Sequence, residues 1–166
     1  MEQDIVINSF YLINLFQEKK DKIKDTFSLP DNAIIQNLKL SILMLFAEAY
    51  YMNKYDKEMF DSDWFLWDGM FIQNKKLHKY FKSYGSLEIW LNICEKAAID
   101  MIPQDNKEVM KSIYDIFSEY NTFELLTLTL APGSPMHKLS DNHSLLKIDK
   151  EEVKEWFNKT FTNNGG

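Results

Sequence analysis

The stretch Asn37–Met52 reads NLKLSILMLFAEAYYM, and its apolar residues recur at spacings of three and four. This pattern covers well over one face of a helix with apolar groups. We therefore expect a central helix over residues 38–53, with neighbours on several sides. Asn37 stands where an N-cap is expected, and Asn53 is the expected C-terminal stop. The helix contains no chemically reactive motif and is interpreted as a core element.

The composition indicates one folded domain without nucleic-acid or membrane partners. The 166 residues are 45% apolar and 14% aromatic, the net charge is −6, and all 19 basic residues are lysine. Because the arginine guanidinium usually reads guanine and clamps phosphates, its absence disfavours nucleic-acid binding. The apolar run Ser41–Ala47 is too short to span a membrane, and the single Cys94 fits a reducing compartment. We expect a cytoplasmic protein.

Further helix signals on both sides of the central helix predict an all-helical bundle of six or seven helices. The expected elements are a first helix over about Asp4–Lys24, a break at Ser28–Asn32, helices over Asn74–Tyr84 and Ser86–Ile99, a helix from the capping-box pattern Asp105–Glu108 to Tyr120, a helix from a Thr122 cap through Leu130, a loop at Ala131–Pro135, and a last helix from Asp149. We expect one domain over residues 1–160 and a frayed tail over 161–166.

The segment from Met59 to Ile72 is the most aromatic part of the chain and interrupts the helical pattern. Asp68-Gly69 is a turn signal, so a short hairpin or irregular extended pieces are expected here. The candidate partner-binding residues are Trp64, Phe65, Trp67 and Phe71. Two interpretations stay open at this level: these side chains plug the bundle, or some of them form an exposed patch of the kind that anchors protein–protein contacts.

Candidate sites for metal or catalytic chemistry are weak. Three aspartates, Asp61, Asp63 and Asp68, lie among the aromatics without the ligand spacing of an EF-hand, and are interpreted as turn residues. A second group, His137, Asp141 and His143, lies close in sequence and is the only basis for a metal-dependent hydrolase. His78 is interpreted as a surface or half-buried residue, and Ser134 has no base beside it in sequence. We expect no enzyme activity, cofactor or metal.

The order of motifs resembles the Panacea domain, a family of SocA-like antitoxins and phage-associated proteins. Members carry a helix similar to N-L-K-L-x-K-L-L-Y-F-A-x-A-Y-Y-L, which Asn37–Met52 follows closely. The other residues that carry the resemblance are Met59-Phe60, Phe65, Trp67, Gly69, Tyr84-Gly85, Tyr120, Glu124-Leu125, Leu128-Thr129, Gly133-Ser134-Pro135, Ile148, Val153 and Phe157. The resemblance spans about Val6 to Phe157.

Three positions depart from the family pattern. Met70 replaces the proline of a G-P-V turn, Leu130 replaces the histidine of a T-H pair, and Met136 replaces a tryptophan after Ser-Pro. A function that depends on those family residues would be lost or changed in this chain.

The resemblance implies an antitoxin that binds and neutralises a cognate toxin encoded by the adjacent gene, in some relatives by delivering the toxin to a protease. Two alternatives remain: a phage or mobile-element protein that binds a host defence protein, and the metal-dependent hydrolase. The family likeness therefore favours a protein-binding function, with the aromatic segment as the candidate site.

Overall fold

The computed structural model describes residues 5–18, 33–81 and 99–162. Within these ranges lie six α-helices: α1 (Ile5–Glu18), α2 (Ala33–Tyr55), α3 (Lys75–Phe81), α4 (Gln104–Phe117), α5 (Thr122–Thr129) and α6 (Lys150–Phe157). Three strands accompany them: β1 (Trp64–Trp67), β2 (Phe71–Asn74) and β3 (Leu145–Ile148). The prediction of a mainly α fold with an aromatic hairpin is confirmed.

Helix α2 is the centre of the core. Every residue from 42 to 49 is buried, which is the pattern of a helix enclosed on all sides. It packs against α1, α3, α4, α5, α6 and β2. Phe46 lies in a cluster of rings with centroids 4.9–5.9 Å from its own; the partners are Phe117, Trp156, Phe157 and Phe161. The prediction of a central helix is therefore confirmed.

Both ends of α2 differ from the prediction. The helix begins at Ala33, so Asn37 lies inside it and is not the N-cap. It also continues past Asn53 and ends at Tyr55. The next residue, Asp56, has a φ of 55°, and its N–H donates to the Met52 carbonyl oxygen at 2.9 Å. This left-handed residue closes the last turn. The Asn53 amide instead donates to the carbonyl oxygen of Lys154 at 3.0 Å and fastens α2 to α6.

Two of the three later helices, α5 and α6, have a side-chain N-cap, and α4 has none. Asn121, and not Thr122, caps α5: its side chain accepts from the N–H of Glu124, whose carboxylate accepts from the Asn121 N–H. Asp149 caps α6 as predicted, because its carboxylate accepts from two N–H groups of the first turn. The capping box predicted at Asp105 is absent: the N-cap of α4 is Pro103, two residues earlier, and it has no side-chain cap.

The three strands form one antiparallel sheet in the order β2-β1-β3. The β1–β2 hairpin turns at Asp68 and Gly69, with φ values of 53° and 74°, and the Met70 N–H donates to the Trp67 carbonyl oxygen at 3.2 Å. The connection between the strands has three residues, Asp68, Gly69 and Met70, because Trp67 pairs with Phe71. The turn prediction is confirmed, whereas β3, which comes from far along the chain, was not predicted.

Several sequence predictions fall outside the described residues. They concern the end of the first helix beyond Glu18, the break at Ser28–Asn32, most of the helix expected over Ser86–Ile99, Cys94, Tyr84-Gly85 and the tail after Thr162. The C-terminal end is ordered further than expected, because a π-helical turn covers Asn158–Thr162 and Phe161 packs against the core. In the described ranges no helix is both long and apolar enough to cross a membrane.

Candidate interaction surface

The hairpin has one buried face and one face toward solvent, because successive side chains of a strand point to opposite sides. On β1, Trp64 and Leu66 are buried, whereas Phe65 is half-buried and Trp67 is exposed. On β2, Ile72 is buried and Phe71 is half-buried. The sheet therefore covers α2 with one face and presents aromatic side chains on the other.

Three apolar side chains form a line across the outer face, which we call the outer row: Phe71, Trp67 and Leu145. Trp67 is paired in register with Phe71 on one side and with Leu145 on the other. The Trp67 and Phe71 rings are 5.5 Å apart, and Trp67 and Leu145 are 45% and 46% exposed. Met70, at the turn, is a further exposed apolar side chain beside the row. The row is a continuous apolar surface on a three-stranded support.

Polar and charged groups surround the outer row. The Lys75 ammonium lies 4.8 Å from the centre of the Phe65 ring. Nδ1 of His143 is 2.7 Å from an Asp68 carboxylate oxygen. Lys147 Nζ is 3.6 Å from the Asp63 carboxylate. An apolar centre with a polar, solvated rim is the usual anatomy of a protein–protein contact surface.

Glu48, on α2, lies directly beneath the sheet and is 1% exposed. Its Oε2 accepts hydrogen bonds from the N–H groups of Met59 and Phe60 at 2.9 and 2.8 Å. Its Oε1 accepts from Nε1 of Trp64 at 2.9 Å and lies 3.1 Å from Nζ of Lys150. One carboxylate thus joins α2, the segment before the hairpin, β1 and the start of α6.

Burial raises the pKa of Glu48 above its ordinary value of 4.5, because a charged carboxylate loses its hydration there. The positive charge of Lys150 and the hydrogen bonds from Phe60 and Trp64 oppose this effect. All four of the surrounding groups are donors, and an ionised carboxylate is an acceptor only. These four donors therefore offset part of the effect of burial, and the pKa of Glu48 stays above its ordinary value.

Sequence reasoning missed Glu48. The available signal was one acidic residue within an otherwise apolar run, where an unpaired charge would be costly to bury. Such a residue indicates a buried partner, but the partners here come from 11, 12, 16 and 102 positions along the chain. Periodicity along one helix gives no information about contacts of that separation.

A pocket of about 270 Å³ opens beside the outer row. It is lined by Asn37, Leu38, Leu40 and Ser41 of α2, Trp67, Phe71, Ile72 and Gln73 of the hairpin, and Leu77 and His78 of α3. Oδ1 of Asn37 is buried and has no hydrogen-bond partner among the described residues. A buried acceptor without a partner costs about 1–3 kcal/mol. The walls of the pocket are mainly apolar, and the Asn37 oxygen itself has no accessible surface.

The four predicted aromatic site residues divide between the two faces of the sheet. Trp64 is fully buried and bonded to Glu48, so the structure places it in the core and not on a contact surface. Phe65, Trp67 and Phe71 lie on the outer face. Trp64 therefore fills the core, whereas Trp67 is exposed and Phe65 and Phe71 are half-buried on the outer face. Sequence reasoning missed Leu145, which reaches the outer row through β3.

The candidate metal ligands are not brought together. Nδ1 of His137 is 2.9 Å from the Leu130 carbonyl oxygen, whereas His143 contacts Asp68. Asp141 is exposed. Over residues 5–18, 33–81 and 99–162, no three histidine, cysteine, aspartate or glutamate side chains form a group that could hold a metal ion.

Ser134 is a buried loop residue with two hydrogen bonds. Its hydroxyl donates to the Thr129 carbonyl oxygen at 2.6 Å and accepts from the His137 N–H at 3.0 Å. These contacts close the loop after α5. His78 is exposed on α3 at the mouth of the pocket, in agreement with the prediction of a surface residue.

A comparison with protein-family models gave no match, and comparisons with curated proteins and with solved structures also gave none.

Proposed function

We propose that this protein is an antitoxin that binds and neutralises a toxic protein partner in the cytoplasm, and that the outer row is its main contact surface. The observation that carries the proposal is the line Phe71–Trp67–Leu145, which exposes a tryptophan between two apolar neighbours. Tryptophan is strongly enriched among residues that dominate binding energy at protein interfaces. Isolated exposed apolar residues are common, but an aligned group with a charged rim favours a binding role.

The support beneath the row is suited to a contact surface. The hydrogen bonds to Glu48 and the pairing of β1 with two neighbouring strands fix the position of Trp67 relative to α2. A side chain held on paired strands loses less conformational freedom on binding than one on a loop. This rigidity favours recognition of a defined partner.

The assignment of the partner as a toxin depends on the resemblance to the SocA-like antitoxins. The motifs in α2, in the hairpin and after α5 carry that resemblance. Neutralisation by direct blocking and delivery of the toxin to a protease both begin with the same binding step. The outer row provides that step in either mechanism.

Co-expression with the product of the adjacent open reading frame tests the proposal. We expect that the neighbour alone stops growth, that the wild-type chain restores it, and that Trp67→Ala restores it poorly. Phe123→Ala is the matched control, since Phe123 is an exposed aromatic residue, 64% accessible, on α5. A neighbour that is harmless alone, or that stays toxic beside the wild-type chain, would contradict the proposal. A host defence protein recovered with the chain, in the absence of a toxic neighbour, would favour the alternative target.

A further inference from the structure

Helix α3 carries a concentration of positive charge at the edge of the outer face of the sheet. Its sequence, KKLHKYF, contains three lysines, one histidine and no acidic residue, although the whole chain has a net charge of −6. The side chains of Lys75, Lys76, His78 and Lys79 are all exposed. Lys75 reaches the outer face itself, because its ammonium lies 4.8 Å from the centre of the Phe65 ring.

Phe65 connects this positive region to the outer row. It lies two residues before Trp67 on β1, so both side chains are on the outer face, about 7 Å apart along the strand. On β3, Lys147 is paired in register with Phe65 and lies 3.6 Å from the carboxylate of Asp63. The positive charge of Lys75 and the exposed ring of Trp67 therefore belong to one continuous surface.

Helix stability does not favour this placement of lysines. Lys75 is the first residue of α3, where the helix dipole favours an acidic residue and disfavours a cation. Lys79 lies one turn further along the same side of the helix, and like charges four residues apart repel each other. Within the described ranges, neither ammonium group forms an ion pair. Both charges are therefore accessible to a second molecule.

We propose that the protein partner presents carboxylate side chains to Lys75 and Lys79, beside an apolar patch that covers the outer row. The inference rests on the proposed function, since it specifies the chemistry of that same partner's surface. An acidic protein surface fits better than a nucleic acid, because the carboxylates of Asp63 and Asp68 lie on the same rim. A nucleic acid carries a charge on every phosphate, whereas a protein can place acidic residues opposite the lysines and away from both aspartates.

Charge reversal tests the proposal in the complex with the neighbouring gene product. Lys75→Glu and Lys79→Glu should each weaken binding about fivefold or more, mainly through slower association. A glutamate suits the first turn of a helix, so Lys75→Glu should fold. Lys111→Glu is the matched control, since Lys111 is an exposed lysine on α4.

Salt provides a second readout in the same complex. Raising the salt concentration should weaken the wild-type complex more steeply than the complex of either variant, because screening acts on the charges that the variants lack. Unchanged affinity in both Lys75→Glu and Lys79→Glu, or an equal loss in Lys111→Glu, would overturn the inference.

The outcomes for this inference and for the proposed function are separable. A neighbour that binds both lysine variants as tightly as the wild type contradicts the inference and leaves the outer row as the contact surface. A neighbour that does not bind contradicts the antitoxin proposal, and an acidic polypeptide then tests the lysines on the isolated protein.

Poly-L-glutamate is that probe, and single-stranded oligothymidylate at the same concentration of charge is its comparison. In NMR titrations at low salt, poly-L-glutamate should give saturable shifts for Lys75 and Lys79 that are lost in Lys75→Glu and kept in Lys111→Glu. The absence of these shifts would overturn the inference. Larger shifts with oligothymidylate than with poly-L-glutamate would overturn it in favour of a nucleic-acid partner.

Discussion

Nε1 of Trp64 donates a hydrogen bond of 2.9 Å to Oε1 of Glu48, and both side chains are buried. This bond joins the first residue of β1 to the middle of α2. Because β1 is the central strand of the sheet, the position of Trp67 on the outer face depends on an anchor on the inner face. The hydrogen-bond partners of a core carboxylate therefore determine where the candidate contact surface lies.

Glu48→Ala should strongly destabilise the protein. The substitution leaves the indole N–H and two backbone N–H groups without their acceptor and removes the buried counter-charge of Lys150. Removal of one partner of a buried ion pair costs about 3–5 kcal/mol. Glu58→Ala is the control, because Glu58 is 3.5 Å from Lys150 but more than half exposed. Its cost should stay below about 1 kcal/mol. Urea denaturation measures the free energy of unfolding of both variants. Equal losses of this free energy would contradict the assigned role of Glu48.

The stability contributed by Glu48 should fall as pH rises. Burial raises its pKa in the folded state, so the folded protein keeps this proton at a pH where the unfolded chain has lost it. The contribution is fully present below the ordinary value of 4.5 and is lost as pH rises through the folded-state pKa. The destabilisation caused by Glu48→Gln should therefore shrink as pH rises from the ordinary value of 4.5 through the folded-state pKa. A destabilisation that grows over this interval would show that the donors lower the pKa instead.

The two tryptophans of β1 should respond differently to truncation. Trp64→Ala removes a fully buried ring and should cost about 3–5 kcal/mol. Trp67→Ala removes a half-exposed ring whose main contact is Phe71, and should cost on the order of 1 kcal/mol. Thermal unfolding measures the stability that each variant loses. Similar losses would mean that Trp67 is a core residue and would remove it from the contact surface.

Gly69→Ala should destabilise the hairpin more than Gly133→Ala destabilises its loop. Both glycines have positive φ, 74° and 99°, so both alanines are strained. A Cβ at Gly69 would also overlap the backbone carbonyl oxygen of Ser140, whereas a Cβ at Gly133 meets open space. We expect on the order of 1–2 kcal/mol for Gly133→Ala and a larger loss for Gly69→Ala. Equal free energies of unfolding would argue against the close approach of the turn to Ser140.

Local patterns in the sequence predicted the elements that local physics determines. The apolar spacing around Phe46 was sufficient to predict a central helix. The pair Asp68-Gly69 was sufficient to predict the turn. Helix ends were less predictable. Asn37 and Asn53 have good capping chemistry, worth about 1 kcal/mol, but the helix runs from Ala33 to Tyr55 through both.

The candidate site was only half predictable. The aromatic run identified the segment. The burial of Trp64 and the exposure of Trp67, however, follow from strand pairing and from the position of Glu48. Leu145 reaches the outer row from 78 positions beyond Trp67. These placements depend on contacts between distant parts of the chain, which no local pattern records.

The dissociation constant of the complex with the neighbouring gene product tests the central claim most directly. Removal of an interface tryptophan that carries binding energy costs about 2 kcal/mol or more, so Trp67→Ala should weaken binding about 30-fold or more. Phe123→Ala should change the constant by less than about twofold, because Phe123 lies on α5, outside the sheet. Calorimetry with folded variants provides the comparison. An unchanged affinity for Trp67→Ala, or a large loss for Phe123→Ala instead, would contradict the outer row as the binding surface.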